Sequence, residues 1–207
     1  MTNKRQRPKF KTVRRYGAGR LWGSSKETGL RKYQPGQHGP TIRVKLTTFG
    51  TQLKAKQMLK AYYGNVSEKQ LSTYFRKATT KKGDTREHLI HFLESRLDAV
   101  VFRAKLASTV FASRQFINHG HIFVNGKKVN IPSYQVKVDD IISVNPKAKD
   151  LAIVKTAMEN PDREECDYVV LNQEKQEALF SRLPHFDEVP FGAKMELSLV
   201  VEYYSKS

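Results

Sequence analysis

Two groups of residues in this sequence have types and spacings that could do chemistry. His88 and His91 stand three apart, so they share a face of any helix that contains them, and two metal ligands could use that spacing. No third ligand accompanies them, and polar surface residues are the better account. The second group lies between residues 96 and 128. At about 100° per residue, a helix after Ser108 turns Val110, Ala112, Ser113, Phe116 and Ile117 to one side. It turns Arg114, Gln115 and Asn118 to the other, with Phe111 among them, and His119 and His121 follow at the turn. Arg96, Arg103 and Lys105 lie just upstream, and Lys127 and Lys128 just downstream. Cations pair with phosphates, amides reach base edges or 2′-hydroxyls, and rings stack on unpaired bases, so this set suits RNA. Alone, the helix reads as a solvated amphipathic surface; the flanking cations shift the balance. On this reading Arg114→Ala leaves the fold nearly intact, whereas Ile117 belongs to the core.

The charge distribution points the same way. Lys and Arg number 37 against 20 acids, a net +17 that opposes self-association and favours a polyanion. Residues 1–60 hold 16 basic residues and 1 acid, whereas residues 161–207 hold 5 and 10, so a basic head precedes a mildly acidic tail. Cys166 is the one cysteine, which excludes an internal disulfide and fits a reducing compartment. No apolar run approaches the roughly 20 residues of a membrane span. A membrane-surface protein would need a basic helix with bulky apolar residues opposite, whereas the most basic part here is Gly-rich. The arginine-rich start resembles a transit peptide in composition, but it has no Ser before Ser24 and runs straight into the folded region, which argues against a cleaved leader.

The elements that must position these residues follow from caps and periodicity. Residues 1–50, broken by Pro8, Pro35 and Pro40, read as an irregular basic arm. A helix is predicted from Thr51 to Tyr63. Others begin at Ser67 and Asp84, each with Gln or Glu three residues on, as in a capping box. Leu89, Leu93, Leu97 and Val100 form a core stripe along the third. Ser108 caps a further short helix that stops at Asn118-His119-Gly120. Asn125-Gly126 between His121–Val124 and Lys127–Ile131 predicts a hairpin, and Val136 to Val144 around Asp139-Asp140 a second. Residues 145–166 read as a helix with loops, and Tyr168–Leu171, Ala178–Arg182 and Met195–Tyr204 as strands. The fold class is α+β. It comprises a basic arm at 1–50, a helical domain at 51–95, a domain at 96–158 with two short helices on a small antiparallel sheet, and C-terminal strands and tail at 159–207.

Arg96-Leu97-Asp98-Ala99-Val100-Val101-Phe102-Arg103, Ser113-Arg114-Gln115, His119-Gly120-His121-Ile122 and Val124-Asn125-Gly126 together resemble the RNA-binding domain named after ribosomal protein S-four. That domain also occurs in modifying enzymes and synthetases, so it indicates RNA without fixing a function. Pro35-Gly36-Gln37-His38-Gly39-Pro40, Asn130 to Val136, Arg14-Arg15 and the ending Val200 to Lys206 extend the resemblance to the bacterial-type S-four ribosomal family, closest to alphaproteobacterial and mitochondrial members.

The resemblance implies a structural protein of the small ribosomal subunit, located on a bacterial or mitochondrial-matrix ribosome. It would bind the five-prime domain of small-subunit ribosomal RNA early in assembly, contact ribosomal protein S-five and other small-subunit proteins, affect translational accuracy, and help line the path by which messenger RNA enters. The residues assigned to RNA are Arg14, Arg15, Arg96, Arg103, Lys105, Arg114, Gln115, Asn118, His119, His121, Lys127 and Lys128, with Arg43 and Lys45 on the messenger path. Many relatives hold zinc with four N-terminal cysteines, and none lies before Cys166 here, so no cofactor is expected. The rival class is an RNA-modifying enzyme, because Arg96-Leu97-Asp98 is similar to the surroundings of the catalytic aspartate in some pseudouridine synthases. Such enzymes need a further domain to enclose a flipped nucleotide, and an ion pair explains Asp98 more simply.

Overall fold

The computed structural model describes residues 9–16, 33–42, 45–149, 151–158, 166–192 and 194–206. They fall into two units, one drawn from residues 1–65 with 191–207 and the other from residues 66–190. Among the described residues no helix is long and apolar enough to cross a membrane, and no group of three or more His, Cys, Asp or Glu side chains could hold a metal.

The first unit is helical. Within the arm expected to be irregular, α1 spans Lys9–Tyr16 and buries Val13. The Thr47 hydroxyl accepts from the Gly50 amide and starts α2, Thr48–Tyr62. The segment expected as a last strand is instead a helix, α8, Leu197–Ser205, lying against α2. Its β-branched and aromatic residues favour a strand in isolation, but helical spacing buries Leu197 and Val200 together. Gln52 donates to Glu202 across 2.8 Å, and the Lys56 ammonium sits 4.0 Å above the Tyr203 ring, so the packing on α2 decides the conformation.

The second unit combines helices and a sheet. Ser67 caps α3, Glu68–Thr79, through the Gln70 amide, and Asp84 caps α4, Thr85–Glu94, through Arg86. Neither closes into the predicted box: the Ser67 hydroxyl turns to Gln70 Oε1, and the Asp84 carboxylate pairs with the Arg86 guanidinium. The stripe Leu89, Leu93, Leu97 and Val100 is wholly buried, but it crosses a break. Arg96 is extended, and α5 begins anew at Leu97, ending at Arg103. The break is held by residues 132–136: Val136 N–H donates to Ser95 O and Leu97 N–H to Tyr134 O, each across 2.8 Å. Arg96 and Gln135 form an isolated bridge. Those residues are therefore not the first strand of a second hairpin.

The next helix, α6, Val110–Asn118, is capped by Thr109, one residue beyond the predicted Ser108. The predicted hairpin forms as β1, Ile122–Val124, and β2, Lys127–Lys128, with Asn125 and Gly126 both at positive φ as a type I′ turn requires. β3, Ile141–Val144, pairs with β1. After α7, Ala152–Met158, the strands β4, Val169–Asn172, and β5, Glu177–Phe180, complete an antiparallel sheet of order β2-β1-β3-β5-β4. The strands expected in a separate C-terminal region thus join the hairpin's own sheet. Ile122, Val124, Ile142, Val144, Ala178 and Phe180 share one core with Leu97, Val100, Phe116 and Ile117 of α5 and α6.

Candidate RNA interface

The interface rests on a buried ionic base. Asp98, in the first turn of α5, accepts from Arg96 Nε at 2.9 Å and Nη2 at 2.7 Å, and from Arg114 Nε at 2.6 Å. Arg96 also donates Nη1 to the Tyr74 hydroxyl at 2.9 Å, and the Ser113 hydroxyl donates to the Asp98 carbonyl. Across the break, at the end of α4, Glu94 accepts from Arg103 Nε and Nη2 at 3.0 and 2.8 Å and from the Tyr168 hydroxyl at 3.0 Å. Burial opposes the charge on Arg96, but the hydrogen bond and charge of Asp98 outweigh it and raise the guanidinium's pKa. Burial, and then the neighbouring Glu94 charge, push the Tyr168 phenol far up, so it stays a neutral donor.

This geometry places two of the predicted RNA ligands inside the protein. Arg96 is 2% exposed and Arg103 7%. A phosphate would have to displace a buried carboxylate to reach either, leaving that carboxylate desolvated and unpaired. Arg96 ties the start of α5 to Tyr74 of α3, and Arg103 ties its end to Glu94 of α4. Asp98, which the enzyme reading requires to be reactive, is equally enclosed. Arg114 is intermediate: its Nε is bound to Asp98, yet its side chain keeps 22% of its surface exposed.

Above this base lies a polar surface at the C-terminal end of α6. Gln115, Asn118 and His119 are exposed there. The His121 ring lies 5.0 Å from Phe116 and 5.9 Å from His119, so the imidazoles cluster at the turn. Gly120 makes that turn at φ +73°. A Cβ at this position would collide with the Lys128 side chain, so Lys128 lies across Gly120 at the helix end. There its ammonium also suits the negative end of the helix dipole. Lys127 is exposed on the hairpin opposite Val124, and Lys105 is half-buried on the turn between α5 and α6.

The structure thus brings together His119, His121 and Lys128 at the end of α6, where Gln115 and Asn118 are also exposed; Lys127, next to Lys128 on β2, is opposite Val124 and so on the other face of the strand. Cations, amides and imidazoles at one helix end can meet phosphates, base edges and unpaired rings. Two contributors were not predicted. Gly120 admits Lys128, and Asn125 anchors the hairpin to β3 by donating to Asp140 and accepting from the Ile141 amide. Asn125-Gly126 signals its turn in the sequence but not these longer bonds.

The remaining predicted residues lie in the first unit or beyond the described residues. Arg15 is exposed on α1 and Lys45 is exposed before α2; Arg43 lies outside the described residues. Arg14 turns inward to the loop of residues 33–42, donating Nε to Tyr33 O and Nη2 to Gln34 O. His88 and His91 contact each other, and His88 Nε2 pairs with the Lys82 carbonyl.

Residues 4–94 match the family described as the ribosomal protein S4/S9 N-terminal domain, and residues 95–142 match the S4 domain. The boundary between them falls at the break between α4 and α5. A small ribosomal subunit protein uS4 from a Caulobacter strain is 49% identical over 204 residues, covering 98% of this chain and 99% of its own. The protein of that name from Parvibaculum lavamentivorans is 50% identical over 205 residues, covering 99% of each. That from Rhodopseudomonas palustris is 51% identical over 204 residues, covering 98% of this chain and 99% of its own. With nearly the whole chain aligned at about half identity, and both constituent domains matched in order, the chain belongs to the small ribosomal subunit protein uS4 family.

Proposed function

We propose that this chain is a structural, non-enzymatic component of the small ribosomal subunit that holds small-subunit ribosomal RNA. The observation that carries the reading is its alignment over 98–99% of its length with proteins named for that subunit. The clustered amides, imidazoles and lysines at the end of α6 supply a surface suited to the task. The enclosure of Asp98 between two guanidiniums speaks against the modifying-enzyme alternative. In finer terms, the RNA contacted is the five-prime domain, and binding occurs early in assembly. Ribosomal protein S-five is a protein neighbour through which decoding accuracy is affected, and Arg43 and Lys45 reach the messenger path.

Co-sedimentation tests this reading. Tagged protein should migrate with small subunits and remain there after a high-salt wash, as a core component does. Release by the wash into free protein, with subunits otherwise intact, marks an accessory or modifying factor instead.

A further inference from the structure

We infer that the outer face of the sheet, at β3, β5 and β4, is a docking surface for a basic protein neighbour in the small subunit, one that presents aliphatic side chains between lysines or arginines. This rests on the subunit reading above. The pairing register sets Ile141 of β3 opposite Leu179 of β5, and Leu179 opposite Val170 of β4. Neighbouring strands lie about 4.8 Å apart, so the three aliphatic side chains form one continuous row. Alternation turns Ile142, Phe180 and Val169 to the core, whereas Ile141, Leu179 and Val170 stay 46%, 36% and 55% exposed. Three such residues at directly paired positions differ from the single apolar residues scattered over an ordinary surface. The next row on the same face is polar, as a face turned to water should be: Ser143 opposite Glu177, and Glu177 opposite Asn172.

The charge around the row says what suits it. β3, β4 and β5 contain one acid, Glu177, and no lysine or arginine, in a chain that has 37. Glu177 stands two residues from Leu179 at one end of the row, and the exposed Asp139 two from Ile141 at the other. Lys137 and Lys175, in the loops beyond the strands, are each offset by a nearby acid, Asp140 and Glu174. Phosphates would meet no cation along the row and would be repelled at both ends, which disfavours RNA there. A second copy of this chain fits poorly as well. Two-fold pairing of the row brings acid onto acid and joins two chains of net +17. A neighbour with aliphatic residues flanked by cations covers the row and complements both acids.

The test begins with tagged full-length chain assembled into small subunits in cells. A photoreactive phenylalanine analogue replacing Val170 should cross-link, in purified subunits, to one subunit protein, at a peptide that carries aliphatic residues next to lysine or arginine. That protein, purified, is then titrated against the full chain. Val170→Thr combined with Leu179→Thr keeps strand-favouring side chains, so its melting curve and its affinity for the five-prime-domain fragment should match the parent's. Its Kd for the identified neighbour should rise roughly fivefold or more, as for loss of a central contact. Glu177→Lys should raise that Kd similarly, and more at low salt than at high. Cross-linking only to RNA, only to a second copy or to nothing overturns the inference, as does a peptide without cations. So does a parent-like Kd in the double variant or in Glu177→Lys. If the tagged parent does not enter small subunits, the subunit reading itself fails and takes the inference with it. That result is distinct from subunits that carry the chain without the cross-link.

Discussion

Arg114 Nε donates to Asp98 Oδ2 across 2.6 Å, and the same oxygen accepts from Arg96 Nη2 across 2.7 Å. The helix that carries the candidate RNA surface, α6, is therefore pinned through a charge to α5. Arg114 is both part of that pin and the inner margin of the surface, so its removal affects stability as well as binding.

Asp98→Asn should destabilise the second unit by about 3–5 kcal/mol, because Arg96 stays buried without a countercharge. Arg114→Ala should cost roughly 1.5–3 kcal/mol, the range for a hydrogen bond to a charged group, since Arg96 still neutralises Asp98. That exceeds the near-zero cost of an exposed arginine. Chemical denaturation of each variant gives the values; an Arg114→Ala curve superimposed on the parent's would show that the pin contributes nothing.

Arg103→Ala should cost about 3–5 kcal/mol, since it strands Glu94 in the interior. Tyr168→Phe should cost only about 1–2 kcal/mol, because Glu94 keeps both Arg103 bonds. Both buried arginines face carboxylates, so the salt slope of binding should stay at the parent value in an Arg103→Gln variant that remains folded, in which the charge is gone. A slope lowered by roughly one would return Arg103 to the RNA surface.

A pH effect is expected at the edge of the second unit. The Arg182 side chain, and then the His185 backbone amide, hold the Glu188 carboxyl at about 2, below its ordinary 4.5. A depressed carboxylate contributes stability that is present above pH 4.5 and lost as pH falls from there towards 2. Titrating the Glu188 carboxyl carbon by NMR should give a midpoint near 2, shifted up towards 4.5 in Arg182→Gln. An unshifted midpoint in that variant would locate the cause elsewhere.

Ile117→Ala separates core from surface. Ile117 is wholly buried, so its truncation should cost roughly 2–5 kcal/mol, with RNA binding falling only as the unit loosens. Poor binding by a variant whose melt is unchanged would mean that α6 presents its other side to RNA.

Local signals made much of this legible. Thr109, Ser67 and Asp84 lie at or beside the predicted starts, Asn125-Gly126 makes its turn, and the 3.6-residue period separates Ile117 from Gln115 correctly. What failed depended on distant partners. Nothing near Arg96 in sequence shows that residues 132–136 will break its helix or that Tyr74 will bind its guanidinium. Nothing in Met195–Tyr204 shows that α2 will make a helix of a strand-like composition. Charge alone cannot say whether an arginine faces phosphate or carboxylate, and Arg14, Arg96 and Arg103 all face inward to the protein's own acceptors.

The central claim is that the end of α6 and the adjoining hairpin hold ribosomal RNA specifically and electrostatically. The most direct measurement is affinity for the five-prime-domain fragment and for an unrelated RNA of equal length, between about 50 and 200 mM salt. It should be made for the parent and for Lys127→Ala combined with Lys128→Ala. The parent should prefer the fragment and lose affinity steeply with salt. The double variant should melt like the parent, bind more weakly, and show a slope reduced by roughly 1.5 to 2, one increment for each lost phosphate contact. Equal affinity for the two RNAs, or a slope unchanged by loss of both lysines, would contradict the account.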